Sequence, residues 1–213
     1  MKQKNITSRT IVFIHGLFLN NQGWNGWKAF FEGKGYTCYA PSAPKHEGTP
    51  AKLRATPPAG LADVQLQDWI SNLETLIDGL PEKPILIGHS LGGLTAQKLV
   101  ESGRAEAAVL ISSAPPKGIV SFKPSFLKSN FPVLNPFAGN SVYNPKPEKY
   151  KKWFHYAFAN TLTKEESDKY FEQFAVPESR KTLKDALTNI AKIDTSKPHA
   201  PLLFLGGKED HIV

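Results

Sequence analysis

The sequence predicts an α/β fold, a mostly parallel central sheet flanked by helices, with a helical insertion before the strand Pro201 to Leu205. Three observations point there. Short β-branched runs without polar alternation recur, as in strands covered on both faces. Stretches with three- and four-residue apolar spacing separate them. One region, rich first in Pro and then in aromatic and basic residues, interrupts the alternation.

Taken in order, Thr10 to His15 (TIVFIH) is the first strand, Trp24 to Phe31 a helix and Tyr36 to Ala40 (YTCYA) the second strand. Leu66, Trp69, Ile70, Leu73 and Ile77 form one apolar stripe on a helix ended by Gly79 and Pro81. Pro84 to Gly88 (PILIG) is a strand, Leu91 to Val100 a helix, and Ala107 to Ser112 (AAVLIS) a strand. The insertion begins near Pro115. Residues 115–148 hold 7 of the 17 prolines, and 115–174 hold 13 of the 23 aromatic residues, about twice their share. Thr163 and Glu166 make a capping box there, and helices are expected near 147–159, 164–174 and 178–190. Pro201 to Leu205 (PLLFL) is the strand that follows. The expected division is therefore 1–114 for the first part of a core, 115–195 for a helical cap, and 196–213 for a core strand and its loop. Strands alternating with helices imply right-handed crossovers and put function at the carboxyl ends of the strands.

Composition excludes several classes. At 213 residues, 40% hydrophobic and 21% charged, the chain is long enough to bury a sizeable core, which sets aside disorder, collagen and coiled coil. The longest apolar stretch, TIVFIHGLFL, is broken by His15 and Gly16 and falls short of the roughly 20 residues a spanning helix requires. The polar start, MKQKNITSRT, has no apolar h-region, so a cytoplasmic protein is expected. The single Cys38 lies in an apolar run and reads as a buried thiol. The net charge of +7 is regional: residues 115–192 hold 13 Lys+Arg against 7 Asp+Glu, while the rest hold 13 against 12. No helix-turn-helix or zinc signature organises those lysines, so neither nucleic acid nor a membrane surface is expected as partner. Oligomeric state is left open.

The strongest chemical signal is Gly88-His89-Ser90-Leu91-Gly92, directly after the strand PILI and directly before the helix Leu91 to Val100. A sharp strand-to-helix turn strains the serine, and only small residues two positions either side let the two backbones approach. Gly88, Gly92 and Gly93 supply them. The new helix sets unpaired N–H groups and a positive dipole end beside Ser90. Ser90 is thus a candidate nucleophile. A glycine-rich helix start without chemistry is the alternative.

With these residues the sequence resembles the α/β-hydrolase superfamily, of the capped, esterase- and lipase-like kind, over nearly its whole length. Besides GHSLGG, His15-Gly16 resembles the family's H-G turn, Gly35-Tyr36 to Pro41 its G-Y…P strand, and Gly207-Lys208-Glu209-Asp210 its acid loop. The resemblance implies an oxyanion hole from the backbone N–H groups of Leu17 and Leu91. It implies Asp210 as the acid that orients a histidine, with Glu209 as the fallback. The family's histidine follows one further strand, and no histidine of this sequence occupies that position. His15 and His89 read as structural, His46 lies in a loop resembling a G-H-G turn, and His155 falls in the cap. His211 adjoins Asp210, and neighbours in one short loop rarely converge on a single serine. The expectation is a front part of a longer reading frame that lacks the last strand, its histidine loop and a final helix, since PLLFL would otherwise leave an unpaired apolar edge.

Ser at position 90 disfavours the family members with an Asp nucleophile, the haloalkane dehalogenases and epoxide hydrolases. The expected activity is hydrolysis of a small-molecule carboxylic ester through an acyl-enzyme, with no cofactor and no metal. Phe122, Phe126, Phe131, Phe137, Trp153, Phe154, Phe158, Phe171 and Phe174 suit an apolar acyl or aromatic group, unless they form the cap's own core. Lys149, Lys151 and Lys152 read equally as a solvated helix face. A thioester, C–C or peptide substrate, and a non-catalytic ligand-binding role, stay open.

Overall fold

The structure, a computed structural model, describes residues 5–119, 124–134 and 136–212. Five parallel strands form the central sheet: β1 (Thr10–Ile14), β2 (Thr37–Tyr39), β3 (Ile85–His89), β4 (Ala107–Ile111) and β7 (Leu202–Leu205), in the order β2-β1-β3-β4-β7. Because β1, β3 and β4 are flanked by strands on both sides and by helices above and below, their sequences carry no polar alternation. The register sets Ile14 beside Gly88, His89 beside Ile111, and Ile111 beside Leu205. The loops that leave these four strands therefore emerge together at one edge of the sheet.

Helix α1 (Asn25–Glu32) covers one face, over a cluster of Ile11, Phe13, Trp24 and Ile87. Helix α2 (Pro50–Ala55) follows β2. Helices α3 (Leu66–Asp78) and α4 (Leu91–Glu101) cover the opposite face, over Val12, Ile14, Leu86, Leu99 and Leu110. The α3 stripe is buried as its spacing predicts, its start held by the Asp68 carboxylate, which accepts from Gln65 N–H at 2.8 Å, and its end set at Gly79. Cys38 is buried with a free thiol. No described helix is long and apolar enough to cross a membrane.

Between β4 and β7 lie α5 (Pro124–Leu134), β5 (Val142–Tyr143), α6 (Pro147–Phe158), α7 (Lys164–Phe174), β6 (Glu178–Ser179) and α8 (Arg180–Asp185). Helices α6 and α7 agree with the sequence. The helix expected over 178–190 does not form as one piece. Glu178 and Ser179 pair instead with β5, and the Ser179 hydroxyl accepts from Lys181 and Thr182 N–H at 3.2 and 3.4 Å, starting a new short helix. The sequence reading also omitted α2, although Thr49 before Pro50 is a start signal and Thr49 does cap it.

The buried aromatic residues of this segment join one apolar cluster with Leu17, Phe18, Trp69 and Leu91 of the sheet-and-helix core. Tyr143, Tyr150, Trp153, Phe154 and Phe171 are buried in edge-to-face and tilted pairs, with Trp153 Nε1–H donating to Ser129 O at 2.8 Å. Burying each such ring contributes about 2 to 3 kcal/mol. Phe122 lies outside the described residues. Phe131 and Phe137 are 72% and 94% exposed, so the expectation that they face a substrate is not met. Strand β7 is the apolar edge that the sequence led one to expect. Leu203, Phe204 and Leu205 are 52%, 61% and 44% exposed, because β7 is the sheet's edge and pairs with β4 alone among the described residues.

Candidate active site

The turn between β3 and α4 is held by backbone contacts that leave no room for side chains. A Cβ on Gly88 would stand 2.3 Å from Gly92 O, and one on Gly92 would stand 2.2 Å from Ile14 O. The chain can cross from strand to helix in so little space only by placing Ser90 at φ 54°, ψ −120°, a conformation that costs a non-glycine residue about 1 to 3 kcal/mol. Its backbone is fixed on both sides. Ser90 N–H donates to Ile111 O at 3.0 Å, and Ser90 O accepts from Gly93 N–H and Ala114 N–H, each at 2.9 Å. The hydroxyl has no hydrogen-bond partner among the described residues, and Ser90 is 8% exposed.

The H-G turn after β1 approaches this serine closely, since a Cβ on Gly16 would lie 2.8 Å from Ser90 Cβ. His15 orients the turn. Ala43 N–H donates to His15 Nε2 at 3.0 Å, so the ring proton sits on Nδ1, which donates to Gly16 O at 2.9 Å. In a trans peptide the carbonyl and the following N–H point in opposite directions. Fixing Gly16 C=O against His15 therefore turns Leu17 N–H the other way. Burial, then the neighbouring His46, lowers the His15 pKa to about 3, which keeps this ring neutral. Neither Leu17 N–H nor Leu91 N–H has a partner among the described residues, and both residues line one cavity with Ser90. The motif's two candidate N–H donors are thus brought to the serine.

Asp210 follows β7 in a turn closed by its N–H to Gly207 O at 3.4 Å, and its Oδ1 accepts from Ile212 N–H at 2.8 Å. It is near enough to His89 to raise that ring's pKa, against the larger lowering by burial. Asp210, Glu209, Asn160 and Thr161, with Ala157, Phe158 and Ile212, line a cavity of mixed character of about 410 Å³ that reaches Ser90 and His89. A second cavity of about 460 Å³ opens from the other side of Ser90, lined by Leu17, Leu91, Phe126, Leu183, Leu187 and Ile212. Ile212 borders both cavities. Of the nine aromatic residues named from the sequence, Phe126 and Phe158 line a cavity with Ser90.

Several histidine rings are committed elsewhere. His211 Nδ1 meets Tyr156 O at 2.9 Å and its Nε2 meets Asn160 Nδ2 at 3.3 Å. His199 is exposed and bonds Ala200 O. His46 is buried against Glu178, a residue for which the sequence offered no signal because its partner lies 132 positions away. Among the described residues no cluster of three or more His, Cys, Asp or Glu could hold a metal ion.

A family model described as "Alpha/beta hydrolase family" matches residues 11–213. Among solved structures, the chain is similar to polyneuridine aldehyde esterase at 18% identity and a TM-score of 0.65, covering 96% of this chain and 82% of that one. It is similar to tomato methylketone synthase I complexed with 2-tridecanone at 16% identity and a TM-score of 0.62, covering 97% and 92%. A pyrethroid hydrolase from Sphingobium faniae JZ-2 matches at 15% identity and a TM-score of 0.59, covering 96% and 90%. At these identities the likeness to the solved structures is one of fold.

Proposed function

The chain belongs to the alpha/beta hydrolase family, and from that premise we propose that it is a serine hydrolase cleaving small-molecule carboxylic esters through a covalent acyl-enzyme. The observation that carries this reading is the strained Ser90, its hydroxyl unpartnered among the described residues, in one apolar cavity with Leu17 and Leu91 and bordering a second cavity that holds Asp210. In this reading Ser90 Oγ attacks the ester carbonyl and loses its proton to a base. The developing oxyanion takes the Leu17 and Leu91 N–H groups, each such donor contributing about 3 to 4 kcal/mol in the transition state. The alcohol leaves with the proton, and water then releases the acid by the reverse sequence. In this reading Asp210 orients the base, a role for which the rings of His15, His46 and His211 are already held by other partners.

Residues 115–195 act as a cap, and the apolar cavity beside Leu183 and Phe126 takes the acyl or aromatic portion of the substrate. The esterase and the pyrethroid hydrolase among the fold relatives agree with that class. A second reading, ligand binding without turnover, is favoured by one observation, the hydrogen bonds that hold the His15, His46 and His211 rings away from a base's role.

A fluorophosphonate probe decides between the two. The native gene product is expected to be labelled on Ser90 and its Ser90→Ala variant not, and an unlabelled, folded native protein would establish the binding role. Octanoyl esters are expected to be turned over faster than acetyl esters. Equal rates would refute the apolar acyl pocket.

A further inference from the structure

Glu178 and His46 meet in the protein's interior, their side chains 0% and 1% exposed. Glu178 Oε1 accepts from Ser179 N–H at 2.7 Å. Its Oε2 lies 3.1 Å from His46 Nε2 and accepts from Phe18 N–H at 3.3 Å. His46 Nδ1 lies 3.0 Å from Pro44 O. A carbonyl oxygen can only accept, so Nδ1 carries a proton, and Nε2 faces a carboxylate that accepts as well. With Glu178 ionised, both ring nitrogens are protonated and the pair is an imidazolium and a carboxylate. Burial opposes that charge on His46, but the Glu178 charge and hydrogen bond outweigh it and raise the ring's pKa. A buried ion pair is weak evidence of stabilisation, because an apolar pair of equal size often does as well. Its position has a more specific consequence.

Phe18, the residue after Leu17, sits at φ 65°, in the left-handed region a bulky side chain rarely adopts. The segment between β4 and β7 holds it at three points. Glu178 takes its N–H, Val176 N–H donates to its carbonyl at 2.9 Å, and its ring packs edge-on against Trp153 at 4.8 Å. On the other side of Leu17, the Gly16 carbonyl is held by His15, whose ring lies 5.7 Å from that of His46. Both peptide planes that flank Leu17 are thus tied to this one buried cluster.

We propose that His46 and Glu178 are positioning residues for the oxyanion turn. Glu178, carried by the insertion, fixes Phe18 N–H, and His46, carried by the core, fixes Glu178, so Leu17 N–H is aimed at the substrate carbonyl only while the insertion is docked. This rests on the reading of Leu17 and Ser90 given above. The other titratable groups around the pair are His15 beyond β1, Glu47 in the His46 loop, Tyr143 on β5, Tyr150 on α6 and Arg54 on α2.

The test is Glu178→Gln. An amide has one acceptor oxygen, so its NH₂ must face either Ser179 N–H or the two donors on the other side, and the charge is lost. In folded, monodisperse protein, kcat is expected to fall roughly 10²-fold with KM within about twofold, because misplacement by about 1 Å affects the transition state and not ground-state binding. A trifluoromethyl ketone, which forms an oxyanion on Ser90, is expected to bind more weakly by a similar factor, and the matching alcohol unchanged. A purely structural role would move neither the split nor the ketone. His46→Gln is the second variant and is expected to shift kcat in the same direction. Imidazole ¹⁵N spectra of the wild type, expected to show both His46 nitrogens protonated at neutral pH, keep the proposal testable if neither variant folds. Folded variants with wild-type kcat and ketone affinity, or a neutral His46 ring, overturn it. If the fluorophosphonate labels the wild type and the variants behave normally, only the pair's role fails. An unlabelled wild type removes the Ser90 reading and this role together.

Discussion

Replacing Gly92 by Ala probes the turn that carries Ser90. The added Cβ would lie 2.2 Å from Ile14 O, 2.5 Å from His15 O and 2.7 Å from Ile14 C, where real Cβ contacts essentially never fall below 3.0 Å. All three atoms are backbone of β1 or the residue after it, and β1 is paired on both sides by β2 and β3. The strand cannot give way, so the start of α4 must move out by about 1 Å, an overpacking that costs about 1 to 3 kcal/mol. In a domain of this size each kcal/mol lowers Tm by about 2 to 4 °C. The same displacement moves Ser90 and Leu91 N–H, so the proposed ester hydrolysis is expected to slow roughly 10²-fold. Gly26→Ala is the control. A Cβ there meets nothing within 4 Å, and on the exposed side of α1 it is expected to raise stability by about 0.5 to 1 kcal/mol. Thermal denaturation and ester hydrolysis of both variants provide the measurement. A Gly92→Ala protein with wild-type Tm and rate would refute the close approach of α4 to β1.

Ser90→Gly is expected to abolish labelling yet raise Tm by about 2 to 4 °C, because glycine accepts φ 54° without strain; a lower Tm would refute the strain. Stability is expected to fall as pH drops below 6.5. His15 binds its proton in the unfolded chain from that pH but in the folded chain only near pH 3, so unfolding takes up a proton and costs about 1.4 kcal/mol less per pH unit. His89, also lowered by burial, adds to this acid limb, whereas the raised His46 contributes stability that is lost as pH rises through its folded pKa. Urea denaturation between pH 7 and pH 5 checks this, and a flat wild-type profile or an unchanged slope in His15→Asn refutes it. Leu183→Trp would fill the apolar cavity and is expected to lower kcat/KM for octanoyl esters about tenfold while changing acetyl esters little; equal losses would place the acyl group elsewhere.

Local signals make the core and the serine legible in the sequence. The periods of β1, β3, β4, α3 and α4 are short-range properties, and a G-x-S-x-G between a strand and a helix is a close-packing requirement written within five residues. Leu17, Leu91 and Asp210 were reached through motif resemblance, and the fold brings Leu17 and Leu91 to one cavity with Ser90 and Asp210 to another. The insertion was less legible. Its helices α6 and α7 lie where they were expected, α7 from a capping box, but the helix expected after 178 is broken by pairing with residues 142–143, which no local pattern records. The fate of its aromatic residues was equally hidden, because a ring bound for a core and a ring bound for a pocket have the same composition.

By itself the sequence determined the α/β architecture, the position of the serine turn and the glycines that permit it, because each depends on residues close together in the chain. Only the tertiary structure decided which tautomer His15 holds, which residues share a cavity with Ser90, and that Glu178 reaches His46 and Phe18 across 132 and 160 positions. Those facts depend on what burial removes from water and what remains to share a proton.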